Sequence, residues 1–198
     1  SFHRPHPPID PPQVYYDLYK DEDLPPVPVG TWADKHAVKI ESVDAWHGKL
    51  ENRLLDRMRR AYFAQIAHID NQIGRIIETL PENTLIIFLS DHGEMLGDHG
   101  IYLKGPFFYE PAVRVPLLIS GPGLRNDGSR SPALVELVDL APTILEWAGL
   151  DASPAMQGRS LQTLLNGNAS LDQHRDDIYC EYYNSMPGHK DPPAHATM

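Results

Sequence analysis

Cysteine is almost missing from this chain of 198 residues. Cys180 stands alone, so no internal disulfide can form and cysteine usage does not fix a redox compartment. Basic residues are also scarce: 17 Lys and Arg stand against 27 Asp and Glu, a formal charge of −10. That balance argues against a nucleic-acid binder, which needs a basic face. It does not exclude an anionic substrate, because a bound cation and a few local positive charges can invert the field inside one pocket. No apolar run approaches the ~20 residues of a membrane span. What is present is 41% hydrophobic residues, enough for one sizeable core or a core plus a small lobe. The two ends, "SFHRPHPPIDPP" and "AHATM", read as cut from a longer protein.

Residues 1–35 are rich in proline, which removes backbone donors and resists helix interiors. The segment reads as an extended arm with a short turn around "VYYDLYKDED", anchored by Tyr15, Tyr16, Leu18 and Tyr19. Over 49–80, Leu55, Met58, Tyr62, Ile66, Ile69, Ile73, Ile76 and Leu80 recur every three or four residues, one stripe of an amphipathic helix that Pro81 ends. Such a stripe packs a core, here expected against a sheet. His68 and Asp70 on that helix read as structural or solvated. "TLIIFLS" (84–90) reads as a central strand buried on both faces, and "VRVPLLISGPG" (113–123) as a second strand closed by a turn. A helix follows within 133–150, with Asp139 and Pro142 near its start and Gly149 at its end. A short helix and an Asn-Gly turn occupy 157–170, and a strand 176–183.

The chemistry concentrates in "SDHGEMLGDHGIYLK" (90–104), which holds two Asp-His-Gly triplets and closes on a lysine. Asp91 and His92 fall just after a strand, where ligand sites gather in α/β sheets. Neighbouring side chains on a strand point to opposite faces, so both reach one centre only where the chain turns, which Gly93 permits. A carboxylate beside an imidazole suits a divalent cation, from Ca or Mg to Mn or Zn. The same residues also fit a simpler role, Asp91 capping a turn and His92 packing. Asp98 and His99 admit the same two readings. Lys104, bounded by Gly105 and Pro106, is either solvated or a point charge for a tetrahedral oxyanion.

"TLIIFLSDHGEMLGDHGIYLKGPFFYEPAVRVPLLISGPG" resembles the metal-binding segment of the sulfatases, in the alkaline-phosphatase superfamily. "SFHRPHPPIDPP", "RRAYFAQIAHIDNQIGRIIETL", and "VDLAPTILEWAGL" with "QGRSL" resemble the same family in the same order. The resemblance implies a three-layer α/β/α sandwich, partial here. Residues 1–165 would be the carboxyl half of the catalytic domain, and 166–198 the start of a C-terminal subdomain. It implies Asp91 and His92 as metal ligands, calcium being the first expectation and Mg, Mn or Zn the alternatives. Lys104 would contact the sulfate, and His6 the sulfate and the leaving oxygen. Asp98 and His99 would support the site without ligating. The cation and Lys104 would neutralise the sulfuryl oxygens, and His6 would serve as general acid.

The expected activity is sulfate-ester hydrolysis on a sulfated small molecule or glycan, with phosphonate or phosphate ester hydrolysis and a non-catalytic fragment as alternatives. The resemblance leaves periplasmic, secreted and lysosomal sites all open. The family's nucleophile is a formylglycine from a C/S-x-P-x-R motif, which this sequence lacks. Cys180 in "CEYYN" has neither the proline nor the arginine, and Ser185 in "SMPGH" has His189 where arginine belongs. The nucleophile and the early metal-binding aspartates are expected in a missing amino-terminal half, so the chain alone is expected to be inactive.

Overall fold

In chain order the elements of the computed structural model are α1 (Gln13–Tyr16), β1 (Ala45–His47), α2 (Asn52–Ile77), β2 (Ile86–Leu89), β3 (Ile101–Leu103), α3 (Glu110–Val113), β4 (Leu117–Ser120), α4 (Leu140–Trp147), α5 (Gln162–Leu165), β5 (Tyr179–Tyr182) and β6 (Ala194–Thr197), with 3-10 turns at Asp98–Gly100 and Leu137–Asp139. The structure describes residues 1–31, 33, 45–47, 50–105, 107–125, 127–183 and 194–197. Ser185 and His189 lie outside the described residues. Two units form: Ser1–Glu82 with Glu94–Gly105, and Asn83–Gly93 with Pro106–Met198.

The first unit is built on α2, whose 26 residues span about 39 Å at ~1.5 Å per residue. Half of its residues are Leu, Arg, Met, Ala or Gln, all strong helix formers. It stops at Ile77 rather than Leu80, because Thr79 and Leu80 bond only three residues back, a tapering last turn ahead of Pro81. The face it buries is not the expected apolar stripe. Arg59, Ala61, Ala64 and Gln65 are the buried residues, while Ile66 and Ile76 are 44% and 50% exposed. The reason is the proline arm. Its carbonyls outnumber its amide donors, so side chains of α2 supply the missing protons. Arg59 donates to the Pro25 carbonyl (2.7 Å), Arg60 to those of Tyr19 and Glu22, and Gln65 to that of Pro8 (3.1 Å). The small Ala61 and Ala64 leave room for the approach. The Tyr15 ring packs against that of His68 at 4.7 Å, tilted by 32°, and its hydroxyl donates to Asn71 (3.1 Å), so His68 is structural, and Asp70 is exposed. In the same unit β1 pairs antiparallel with β3, Trp46 opposite Tyr102.

In the second unit β2 pairs antiparallel with β4, from Ile86↔Ser120 to Leu89↔Leu117. The expectation of a strand buried on both faces does not hold in this chain. Each described sheet has two strands, so every strand is an edge, and Phe88 and Leu89 are each 39% exposed. α2 belongs to the first unit and β2 to the second, and the mix of helices and strands is that of a partial α/β fold. The helix expected within 133–150 begins as the Leu137–Asp139 turn and continues as α4. Pro142 sits in its first turn, where the missing amide is no loss, and Gly149 ends it at φ +74°.

Asp139 is fully buried and gathers the unit around it. It accepts from the backbone of Glu136 (3.0 Å) and Arg159 (2.7 Å), from His174 (3.2 Å) and from two nitrogens of Arg175. Burial pushes its carboxyl up, but the Arg175 guanidinium and these amides overcome that and hold it below the usual range. Glu136 pairs with Arg175 (2.9 Å) and accepts from the Tyr179 amide (2.7 Å), fixing the entry to β5. β6 then pairs antiparallel with β5, so "AHAT" is a strand.

Candidate functional site

The first triplet follows β2 directly. The Ser90 hydroxyl donates to the His92 carbonyl (2.7 Å), turning the chain, and the His92 amide donates to Asp91 Oδ1 (3.0 Å). That turn brings Asp91 Oδ2 within 4.0 Å of His92 Nε2, so both groups face one point, with the Asp91 side chain 89% exposed. His92 Nδ1 lies 2.8 Å from the Gly93 carbonyl. A carbonyl only accepts, so Nδ1 carries the proton and Nε2 is the ring's acceptor nitrogen. That is the usual arrangement of a metal-binding histidine.

Gly93 is required for a different reason than expected. Its backbone is not left-handed; instead a Cβ there would lie 1.9 Å from the Pro111 carbonyl oxygen. Its amide bonds the Ala112 carbonyl (2.8 Å), which is what draws the two segments together. Among the described residues no third His, Cys, Asp or Glu joins the pair to complete a metal-binding group.

The second triplet belongs to the first unit and does different work. Asp98–Gly100 is a 3-10 turn leading into β3, with His99 left-handed at φ 55°. The His99 amide donates to the Pro28 carbonyl (2.8 Å), and its Nδ1 accepts from the Gly30 amide (3.2 Å). The triplet thus pins the far end of the proline arm. The Asp98 carboxyl is raised by burial, against the opposing pull of His99 and Arg59. Nearby, burial and the Glu94 carboxylate push Tyr62 up to about 12. Leu96 and Leu103 are also left-handed, at φ 48° and 66°, a conformation side-chain-bearing residues adopt only where the surroundings enforce it. The strained stretch ends beside Lys104.

Lys104 meets His6, 98 residues away in sequence, with Nζ 2.7 Å from Nε2. His6 Nδ1 donates to the Pro7 carbonyl (2.8 Å), so Nε2 receives the lysine proton. The His3 ring lies 4.8 Å from that of His6, tilted by 55°. This unit therefore assembles a cation and an imidazole joined by one hydrogen bond. Such a pair can bind a tetrahedral anion and move a proton. Of the six sequence-derived site residues, Asp91 and His92 come together in one unit, and His6 and Lys104 in the other. Sequence reasoning missed Arg4 and Gln65, whose side chains grip the loop carrying His6. Only the proline density of that loop, which announces carbonyls without donors, could have pointed to them.

Comparison with known proteins gives these sites a family context. The family described as Sulfatase matches residues 1–150. An arylsulfatase of Clostridium perfringens is 39% identical over 192 residues, covering 92% of this chain and 39% of its own length. A structure solved in complex with its substrate D-glucosamine-2-N,6-O-disulfate superposes with a TM-score of 0.65 at 30% identity, over 75% of this chain and 32% of that one. The phosphonate monoester hydrolase of Agrobacterium radiobacter superposes with a TM-score of 0.79 at 28% identity, over 95% of this chain and 41% of that one. The chain spans about two-fifths of the length of the arylsulfatase and the phosphonate hydrolase that it matches.

Proposed function

The chain belongs to the sulfatase family and carries part of its alkaline-phosphatase-like α/β fold, and on that premise we propose that the protein containing it hydrolyses sulfate esters. Residues 1–165 would form the carboxyl half of the catalytic domain, with 166–198 opening a smaller subdomain. The observation that carries the reading is the Lys104–His6 contact of 2.7 Å.

In this reading Lys104 places its remaining N–H donors on the sulfuryl oxygens, where negative charge grows as the ester bond breaks. His6 delivers a proton from Nε2 to the leaving oxygen. Its Nδ1–H stays on the Pro7 carbonyl throughout, which fixes the ring plane and leaves Nε2 as the working nitrogen. The proton that His6 delivers is taken up at Nε2 from solvent, so Lys104, 2.7 Å away, keeps its own protons and its charge. Asp91 and His92 would hold a divalent cation, calcium first and Mg, Mn or Zn otherwise. Their donor set fits, since an exposed carboxylate and an imidazole with its proton on Nδ1 face one point. When bound, the cation would neutralise charge on the sulfuryl group. Asp98 and His99 would keep the proline arm in place. The nucleophile, a formylglycine, would come from outside this chain, which by itself would turn nothing over.

The substrate would be a sulfated small molecule or glycan. The arylsulfatase and the structure bound to a disulfated glucosamine lend support to one class each. A second reading, phosphonate monoester hydrolysis, is favoured by the TM-score of 0.79 to such an enzyme. Kinetics of the full-length protein with an aryl sulfate and the matching aryl phosphonate separate the two. Sulfate preference in the wild type, with the rate lowered by about 10²–10³-fold in Lys104→Ala, is the expected result. Phosphonate preference would select the second reading. Wild-type turnover by Lys104→Ala and His6→Ala would remove both residues from the chemistry.

A further inference from the structure

The backbone of the loop that carries His6 is short of donors to hold itself. Pro5, Pro7 and Pro8 have no amide proton, so three of its positions offer carbonyls and no donors. Its own backbone contributes one bond, from the His6 amide to the His3 carbonyl (3.2 Å). The His6 ring adds its own bond to the Pro7 carbonyl, and two further side chains restrain the loop at Pro8 and Asp10. Arg4 Nη1 donates to the Pro8 carbonyl (2.7 Å) and more weakly to that of His6 (3.4 Å), while its Nη2 pairs with Asp10 (2.7 Å). Gln65, reaching from α2 and only 2% exposed, donates to the same Pro8 carbonyl (3.1 Å) and to the same Asp10 carboxylate (3.4 Å). Two donors of different chemistry thus converge on one carbonyl and one carboxylate, on either side of which the chain would otherwise swing. The planar guanidinium matters here, because one side chain must serve a carbonyl and a carboxylate in fixed directions.

We propose that Arg4 and Gln65 are positioning residues for His6. Arg4 closes the donor-poor loop on itself and Gln65 ties it to α2, and together they hold the imidazole on Lys104 and in line with the leaving oxygen. The inference rests on His6 being the proton donor of the proposed reaction. It assigns neither Arg4 nor Gln65 a contact with substrate.

The test is leaving-group dependence in the full-length protein, with aryl sulfates whose phenols span a range of pKa. A displaced proton donor harms poor leaving groups most, since good ones depart without help. Arg4→Ala should lower kcat/KM by about 10²-fold for the poorest leaving group, the scale of a ~1 Å misplacement, and by much less for the best. The plot of rate against phenol pKa should steepen towards that of His6→Ala. Gln65→Leu, similar in size but without a donor, should steepen it less. Arg4→Lys, a single point donor, should restore only part of the loss. Combining His6→Ala with Arg4→Ala should cost no more than His6→Ala alone, because the brace then has no ring to place. A merely structural role predicts a lower Tm and a loss equal for every leaving group. Such a parallel loss, or additive losses in the double variant, overturns the inference. A flat profile for His6→Ala overturns both this inference and the proposed role of His6; a flat profile for Arg4→Ala beside a steep one for His6→Ala overturns this inference alone.

Discussion

The two Asp-His-Gly triplets are the same three letters in opposite roles. At Asp91–Gly93 the side chains turn outward, the carboxylate 89% exposed and the imidazole presenting Nε2. At Asp98–Gly100 the groups turn inward, the histidine tied to the arm through Pro28 and Gly30 and the aspartate raised by burial. The glycines differ as well. Gly93 is needed for space and Gly100, at φ +74°, for conformation. What separates the triplets is the backbone that receives them: the first ends a strand whose turn is made by Ser90, and the second is a left-handed turn closing on the proline arm. Identical local chemistry therefore says little until the hydrogen-bond partners are known.

The largest expected effect is at the first triplet. In the full-length protein Asp91→Ala and His92→Ala should lose activity well beyond the roughly 10–100-fold typical of supporting contacts, and bound metal should fall with it. Metal analysis beside turnover decides. Loss of metal in Asp98→Ala with retention in Asp91→Ala would reverse the assignment of the two triplets.

Asp98→Ala and His99→Ala should come next, with losses of about 10–100-fold, metal retained, and faster amide exchange or proteolysis around residues 28–30. Unchanged protection there would mean that the His99 contacts do not hold the arm.

The glycines should separate by stability rather than activity. Gly93→Ala sets a Cβ 1.9 Å from a backbone oxygen, an overpacking of about 1–3 kcal/mol. Gly100→Ala carries the left-handed penalty, about 1–2 kcal/mol. Urea midpoints measure both, and a milder effect at Gly93 than at Gly100 would break the distinction.

The smallest effect is a matter of pH. The Asp98 carboxyl is raised in the fold, so the folded state favours its protonated form. That contribution is complete below the unfolded value, about 3.9, and is lost as pH rises through the higher folded value. Asp98→Asn should accordingly gain a little stability at pH 7 relative to wild type and none at pH 3. A gain that is the same at both pH values would discard burial as the cause.

How much of this could be read from the letters varies with the kind of interaction. Helix α2, strands β2, β4 and β5, and the Gly149 stop follow from periodicity, strand propensity and turn chemistry, all of them local. The buried face of α2 does not, because Arg59 and Gln65 are buried by the carbonyls they serve, and an apolar count scores them as solvent-facing. The Asp139 cluster was legible only as a helix start, since Arg175 and His174 lie more than thirty positions downstream. The need for space at Gly93 depends on Pro111, a neighbour made by folding. Of the site, Asp91 with His92 could be paired by adjacency, whereas His6 and Lys104 were joined only by resemblance to a family. No spacing rule connects residues 98 apart.

That separation also has a meaning in time. A ribosome adding ~5–20 residues per second takes about 5–20 s to travel the 98 positions from His6 to Lys104. During that interval the proline loop travels down and out of the tunnel, and Gln65, its tie to α2, is made a little past midway. The imidazole therefore waits, first unbraced and then braced, for a cation that is among the last residues of its unit to be made. A nascent chain stalled shortly before Lys104 emerges would present the arm docked on its helix with the anion-binding half of the pair still missing.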